Sequence, residues 1–122
     1  MYEYRIIICG GRDFKDKTLF NSTLTNLLAE YPNCTIVSGH ASGADTFAEQ
    51  FAEEYDIPIK IFKPDWSKYG KAAGPIRNKE MLEYAKEATP VVIAFWDGKS
   101  KGTKNMVETA RKTDALIHVI GY

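Results

Sequence analysis

Residues 5–11 read Arg-Ile-Ile-Ile-Cys-Gly-Gly, a continuous apolar run that two glycines end. Continuous apolar runs are typical of strands buried on both faces of a parallel sheet, whereas half-exposed strands alternate apolar and polar residues. Two glycines in succession predict a turn directly after the strand. The run therefore predicts a buried strand in a sheet that is covered on both faces.

Helical and strand-like segments alternate along the rest of the chain. Apolar residues at helical spacing, Pro75 in a first turn and Thr103 as an N-cap predict helices over residues 16–31, 43–55, 75–86 and 103–112. Apolar runs predict strands over residues 5–9, 35–37, 57–62, 90–96 and 115–120, with a long loop over residues 63–74. The alternation favours an α/β fold with a doubly wound, five-stranded parallel sheet in the order 3-2-1-4-5 and helices on both faces.

The length of 122 residues is expected to give a single domain over residues 1–122. The 16 basic and 16 acidic side chains cancel, which makes duplex DNA a poor candidate for the partner. Charge is nevertheless uneven, with a net −5 over residues 1–59 and +5 over residues 60–104, so the basic segment suits one anionic ligand. The sequence shows neither a membrane span nor a signal peptide, so we expect a cytoplasmic protein without membrane contact.

The two cysteines and two histidines do not indicate a disulfide or a metal site. Cys9 ends the first strand and Cys34 begins the second, so parallel strands place them at opposite edges of the sheet. His118 lies inside the fifth strand, far from His40 in the strand order, and no CxxC pair is present. The sequence predicts neither a metal nor a cofactor.

Four polar segments that contain glycine are expected at one edge of the sheet, namely residues 10–14, 38–45, 63–78 and 97–103. Open parallel sheets bind ligands at the carboxyl ends of their strands, near the point where the strand order reverses. Glycine lets a backbone approach a ligand closely, and helix N-termini offer unpaired N–H groups. The segments therefore predict a phosphate site between the helices that begin near residues 43 and 103.

Side chains of these segments supply the candidate contacts. Arg12 and Arg77 are expected to bind phosphate, and Trp66 either stacks on a base or anchors its loop. Asp45 either takes part in the site or stabilises the first turn of its helix, and Asp45 and Arg77 are the candidates for catalysis. The predicted ligand-binding residues are Gly11, Arg12, Asp13, Ser38, Gly39, His40, Ser42, Gly43, Asp45, Trp66, Arg77, Asn78, Gly98, Ser100, Gly102 and Thr103.

Two common nucleotide-binding motifs are absent from the sequence. Residues 98–104 contain glycine, lysine and threonine, but in the wrong order for GxxxxGK[ST]. The GxGxxG fingerprint does not follow the first strand, where Gly-Gly-Arg-Asp stands instead. Classical ATPases and dehydrogenases are therefore disfavoured.

Residues 38–45, Ser-Gly-His-Ala-Ser-Gly-Ala-Asp, resemble the SGxAxGxD motif of the DNA-processing protein A family in the Rossmann-like SLOG superfamily. Residues 11–13, 66–81 and 95–103 resemble the small YspA-type branch, also known as DUF2493. The resemblance covers nearly the whole chain. It implies a Rossmann-like fold and a nucleotide or nucleotide-derived ligand, and it leaves a homodimer open.

The superfamily also contains cytokinin-activating phosphoribohydrolases, whose RKxxM and GGxGTxxE motifs are only partly present here. Arg77 and Met81 match the first motif, with Asn78 in place of lysine. Met106 occupies the position of the glutamate in the second motif, and Glu108 is about 200° further round a helix. The departure argues against N-glycosidase activity.

The sequence thus leads to three hypotheses of function. The first is a sensor or sequestering protein for a nucleotide-derived small molecule. The alternative is an enzyme that cleaves the N-glycosidic bond of a nucleotide, in the manner of a phosphoribohydrolase. The second alternative is binding of single-stranded DNA, which should weaken steeply with salt.

Overall fold

The computed structural model describes residues 3–122 and contains a five-stranded parallel sheet. Its strands are β1 (Tyr4–Gly10), β2 (Cys34–Ser38), β3 (Ile59–Ile61), β4 (Thr89–Trp96) and β5 (Leu116–Gly121). They lie in the order β3-β2-β1-β4-β5, and each neighbouring pair is parallel. The α/β fold and the strand order expected from the sequence are confirmed.

The helices are α1 (Lys17–Leu28), α2 (Ala44–Glu54), α3 (Trp66–Tyr69), α4 (Ala73–Ala85) and α5 (Lys101–Arg111). Within residues 3–122, no helix has the length and apolar character needed to cross a bilayer.

Side chains of β1 enter two separate cores, one on each face of the sheet. Ile6 and Ile8 pack with residues of α1 and α2, whereas Ile7 and Cys9 pack with residues of α4 and α5. The three isoleucines are fully buried. A strand that supplies apolar side chains to both faces explains why the sequence run is continuous.

Two segments near the carboxyl edge differ from the sequence prediction. Residues 63–74 do not form a plain loop, because they contain α3, a 3₁₀ turn over Gly70–Ala72 and the first two residues of α4. The Asp65 side chain starts α3 by accepting a hydrogen bond from the N–H of Lys68 at 3.1 Å. The N-cap of α5 is Ser100 and not Thr103, which is the third residue of that helix.

The strand register separates the two cysteines. Cys34 lies beside Tyr4, five residues before Cys9 on β1, which corresponds to about 16 Å along the strand. The two side chains also pack on opposite faces of the sheet. Both thiols are free, and burial raises the pKa of each.

We expect both thiols to stay reduced, and Cys34 to be alkylated before Cys9. Cys34 is half-buried, whereas Cys9 is buried and the pKa of its thiol is raised the more strongly. The measurement is mass spectrometry of the unreduced protein, followed by timed iodoacetamide labelling and peptide mapping. An intact mass two hydrogens too low, or faster labelling of Cys9, would contradict this account.

Candidate functional site

A cavity of about 630 Å³ lies at the carboxyl ends of β1 and β4, where the strand order reverses. We call it the switch-point cavity. Its lining comes from the loops that follow β1 and β4, from the start of α2, from α3 and α4, and from the start of α5. A doubly wound sheet is expected to bind its ligand at this point.

Ten of the sixteen predicted ligand-binding residues line the switch-point cavity. They are Gly11, Arg12, Asp13, Asp45, Trp66, Arg77, Asn78, Ser100, Gly102 and Thr103. The structure places the other six outside its lining, and these are Ser38, Gly39, His40, Ser42, Gly43 and Gly98. Most of those six belong to the segment between β2 and α2, of which Ala41 lines the cavity.

Gly43 is required by packing between backbones. Its φ is +79°, and a Cβ built there would lie 2.2 Å from the carbonyl oxygen of Gly11. Ser42 adds a hydrogen bond from its hydroxyl to the carbonyl of Arg12 at 3.3 Å. The backbone of the loop after β1 therefore lies directly against Gly43, the residue before α2.

The N-terminus of α5, by contrast, borders the cavity. Asp97 accepts hydrogen bonds from the N–H groups of Lys99 at 2.8 Å and Ser100 at 2.9 Å, which shapes the turn before the helix. Ser100 then accepts from the N–H of Thr103. A Cβ at Gly102 would meet no protein atom within 4 Å, so the helix start is open on that side. First-turn N–H groups lack helical acceptors and attract anions.

Asp45 is a buried carboxylate beside the cavity, with 4% of its surface exposed. Its Oδ2 accepts a hydrogen bond from the N–H of Ala41 at 3.0 Å, and no group of residues 3–122 donates one to Oδ1. Burial raises the pKa of Asp45 to about 6, although the Ala41 N–H and the charge of Arg77 act in the opposite direction. Perturbed carboxyl groups of this kind concentrate at functional sites.

Arg77 and Asn78 join three segments around the cavity. Arg77 donates Nη1 to the carbonyl of Gly39 and Nε to Oδ1 of Asn78 at 3.1 Å. Asn78 donates its amide to Oδ1 of Asn105 at 3.0 Å and to the carbonyl of Gly102 at 3.3 Å. The start of α4 is thereby tied to the end of β2 and to the first turn of α5.

Two aromatic side chains contact the loop that follows β1. The guanidinium of Arg12 lies 5.8 Å from the centre of the Trp66 ring, and both residues are exposed at the cavity. Tyr122 donates its hydroxyl to Asp13 at 3.1 Å, and its ring packs edge-on against Phe14. The loop that carries Arg12 is therefore held from two sides.

His40 belongs to a different surface. Its Nδ1 lies 3.1 Å from the Glu49 carboxylate, and Glu49 also accepts a hydrogen bond from the buried Ser38 hydroxyl at 3.0 Å. His40 and Ser42 line a separate cavity of about 380 Å³ over α2. The position of His40 before α2 predicted a place in the main cleft, but its side chain lies beside Glu49 over α2.

The sequence prediction did not single out several residues of the cavity lining. Lys71, Lys99 and Lys101 belong to segments flagged in the sequence, but lysines are also common on solvated surfaces. Asn105 carried no signal except its position three residues after Gly102 on one helix face. Met106 is fully buried in the core and does not line the cavity, so a glutamate at this position would not face a ligand there.

We expect the substitution Asp45→Asn to stabilise the protein at neutral pH. The pKa of Asp45 is raised from 3.8 to about 6, so the folded state binds this proton more tightly than the unfolded chain does. Stability is then lost as the pH rises from about 4 to about 6, and Asn avoids a loss of roughly 2–3 kcal/mol. Urea unfolding at several pH values across that window measures the difference.

Asp97→Asn is the matched control, for which we expect the opposite effect on stability. Hydrogen bonds from the N–H groups of Lys99 and Ser100 lower the pKa of Asp97, so its charged form stabilises the folded state. This variant should be less stable than the wild type at neutral pH, and the difference should shrink as the pH falls. If Asp45→Asn unfolds more easily than the wild type at neutral pH, the raised pKa of Asp45 does not lower the stability of the folded protein.

The comparisons with known proteins agree with the resemblance noted in the sequence. Gene 61 protein of Mycobacterium phage D29 is 34% identical over 124 aligned residues, which cover 97% of this chain and 95% of that protein. A solved structure, that of DNA processing protein A (DprA) from Streptococcus pneumoniae, shares the fold with a TM-score of 0.53 at 16% identity. The match covers 98% of this chain, which spans 59% of that longer chain.

A model of one protein family assigns the chain more narrowly. It is described as the YspA, cpYpsA-related SLOG family and matches residues 4–69. The matched range contains β1, the Gly11–Gly43 contact and the buried Asp45. The chain therefore belongs to the YspA, cpYpsA-related SLOG family.

Proposed function

We propose that the protein binds a phosphate-bearing, nucleotide-derived small molecule in the switch-point cavity, as a sensor or a sequestering protein. The observation that carries the proposal is the charge of the cavity lining around an open helix N-terminus. Among the described residues, five cationic side chains and three carboxylates line the cavity, in a chain with no net charge. Membership of the SLOG family also favours a nucleotide-related role.

The arrangement supports one orientation of the ligand. Lys99 and Lys101 flank the first turn of α5, where a phosphate gains from unpaired N–H groups as well as from charge. Trp66 offers an exposed aromatic face near Arg12, which suits a stacked base. Oδ1 of Asp45 is available to accept a hydrogen bond from a hydroxyl or amino group of the ligand. A cytoplasmic location, where such ligands are abundant, is part of this proposal.

A second candidate is cleavage of an N-glycosidic bond in a nucleotide. The raised pKa of Asp45 beside a cavity favours it, because a general acid works best with a pKa near the working pH. The buried Met106 disfavours it, because that position supplies no second carboxylate. If the wild type releases free base from AMP and Asp45→Asn does not, the protein is an N-glycosidase and not only a nucleotide-binding protein.

Single-stranded DNA is a third candidate, supported by the name of DNA processing protein A and by the cationic lining. A DNA strand would contact several cations through successive phosphates, so its affinity would fall steeply with salt. A mononucleotide that uses one phosphate site should lose much less affinity over the same range. Titration of AMP and of a short oligonucleotide at several salt concentrations separates the two ligands.

We expect Gly102→Val to leave the protein folded but to weaken AMP and ADP binding at least about tenfold, or about 1.4 kcal/mol. A Cβ at Gly102 would meet no protein atom within 4 Å and Gly102 lines the cavity, so we expect the added side chain to enter the space proposed for the phosphate. Lys104→Val is the matched control, because Lys104 lies in the same part of α5 and outside the cavity lining. Calorimetric titration gives the affinities, and thermal unfolding checks the fold.

Equal affinity in the wild type and a folded Gly102→Val protein would exclude the N-terminus of α5 from the site. A similar loss in Lys104→Val would attribute the effect to the helix and not to the ligand.

We expect Arg12→Ala to weaken AMP about tenfold and to change adenosine binding much less, because the guanidinium pairs with the phosphate. Lys15→Ala in the same loop is the control, since Lys15 is exposed and does not line the cavity.

Arg77→Ala should weaken the binding of both AMP and adenosine and lower stability as well, because Arg77 donates a hydrogen bond to the carbonyl of Gly39. Calorimetry with both ligands makes the measurement, and equal losses for AMP and adenosine in Arg12→Ala would contradict a phosphate contact.

A further inference from the structure

The two edges of the sheet are protected very differently. Edge strands present unpaired N–H and C=O groups, and monomeric proteins protect them with short strands, proline or lysine. β3 follows that rule, because it has three residues, carries Lys60 at its centre and lies between Pro58 and Pro64. β5 has six residues, and residues 115–122 contain no proline and no lysine, arginine, aspartate or glutamate.

The edge at β5 also carries exposed apolar side chains. Leu116 is 47% exposed, Val119 42% and Tyr122 43%. Leu116 and Val119 point to opposite faces of the sheet, since side chains alternate along a strand. A long, uncharged edge strand with apolar groups on both faces is the kind of strand that pairs with another chain.

We propose that β5 pairs with β5 of a second copy of this chain, antiparallel, about a two-fold axis that is perpendicular to the sheet and passes midway between Val119 and its copy. Such an axis keeps each side chain on its own face, so residues that lie opposite each other are both odd-numbered or both even-numbered. With the axis beside Val119, Val119 lies opposite its own copy, and Leu116 lies opposite the position of Tyr122, the residue that follows β5, in the second copy. All three exposed apolar side chains are then paired with one another.

A second copy suits this edge because an isologous interface must be complementary to itself. Like charges on opposite residues would repel each other and oppose self-pairing. Residues 115–122 contain no aspartate, glutamate, lysine or arginine, so this repulsion is absent. The same pairing at β3 would place Lys60 against its own copy. The two sheets join into one continuous sheet of ten strands, and the inference does not depend on the identity of the ligand.

The interface would also touch the loop that carries Arg12. Tyr122 packs on Phe14 and donates its hydroxyl to Asp13, which lines the switch-point cavity. Covering Tyr122 with Leu116 of the second copy therefore restrains a side chain that contacts this loop.

Sedimentation equilibrium of the full chain at micromolar concentration tests the proposal. The wild type should have twice the mass of one chain, and Val119→Lys should have the mass of a single chain because it places two ammonium groups beside the axis. Ile61→Lys is the matched control at the other edge, where Ile61 is 38% exposed, and it should remain a dimer. Circular dichroism and thermal unfolding confirm that each variant is folded.

A second variant tests the register without depending on loss of association. Val119→Cys in a Cys34→Ala background should form a covalent dimer with diamide, which takes up the two thiol hydrogens, because opposite residues of an antiparallel pair lie within reach of a disulfide. Ile61→Cys in the same background should stay monomeric on a non-reducing gel. A monomeric wild type, a dimeric Val119→Lys protein or equal cross-linking at both positions would overturn the proposal.

Discussion

The contact between the backbones of Gly11 and Gly43 determines how the loop after β1 lies at the carboxyl edge of the sheet. A Cβ at Gly43 would approach the Gly11 carbonyl oxygen to 2.2 Å, so these two turns pack without a side chain between them. The loop after β1 lies against the residue before α2 as a result and presents Arg12 and Asp13 at the edge of the sheet. At the other helix N-terminus expected from the sequence to meet the ligand, that of α5, a Cβ at Gly102 would meet no protein atom within 4 Å.

Asp45 lowers the stability that we expect of the fold at neutral pH. The carboxylate is buried where burial disfavours its charge, and an amide of similar shape would keep the hydrogen bond from Ala41. A side chain that lowers stability at neutral pH is understandable if its free oxygen serves a ligand. The hydrogen bonds of Arg77 and Asn78 connect the segments that surround Asp45, so these two residues mainly stabilise the structure around it.

The sequence predicted the sheet well because burial on both faces leaves a direct trace in the apolar runs. The site was harder, because local side-chain hydrogen bonds decide its details. Asp97 shapes the turn that makes Ser100 the N-cap of α5, although Thr103 is also of a residue type that caps helices. His40 and Gly43 precede Asp45 by five and two residues and both have positive φ, and neither lines the cavity, although Ala41 between them does. Backbone conformations of this kind cannot be deduced from residue type alone.

We propose that an anionic nucleotide occupies the switch-point cavity with its phosphate at the start of α5. The most direct test of this proposal is a titration of the ¹⁵N-labelled protein with AMP, followed by amide and indole chemical shifts. We expect the largest shifts at the N–H groups of Lys101 and Gly102 and at the Trp66 indole, with little change around His40 and Glu49. Shifts that concentrate over α2 near His40, with none at the start of α5, would contradict it.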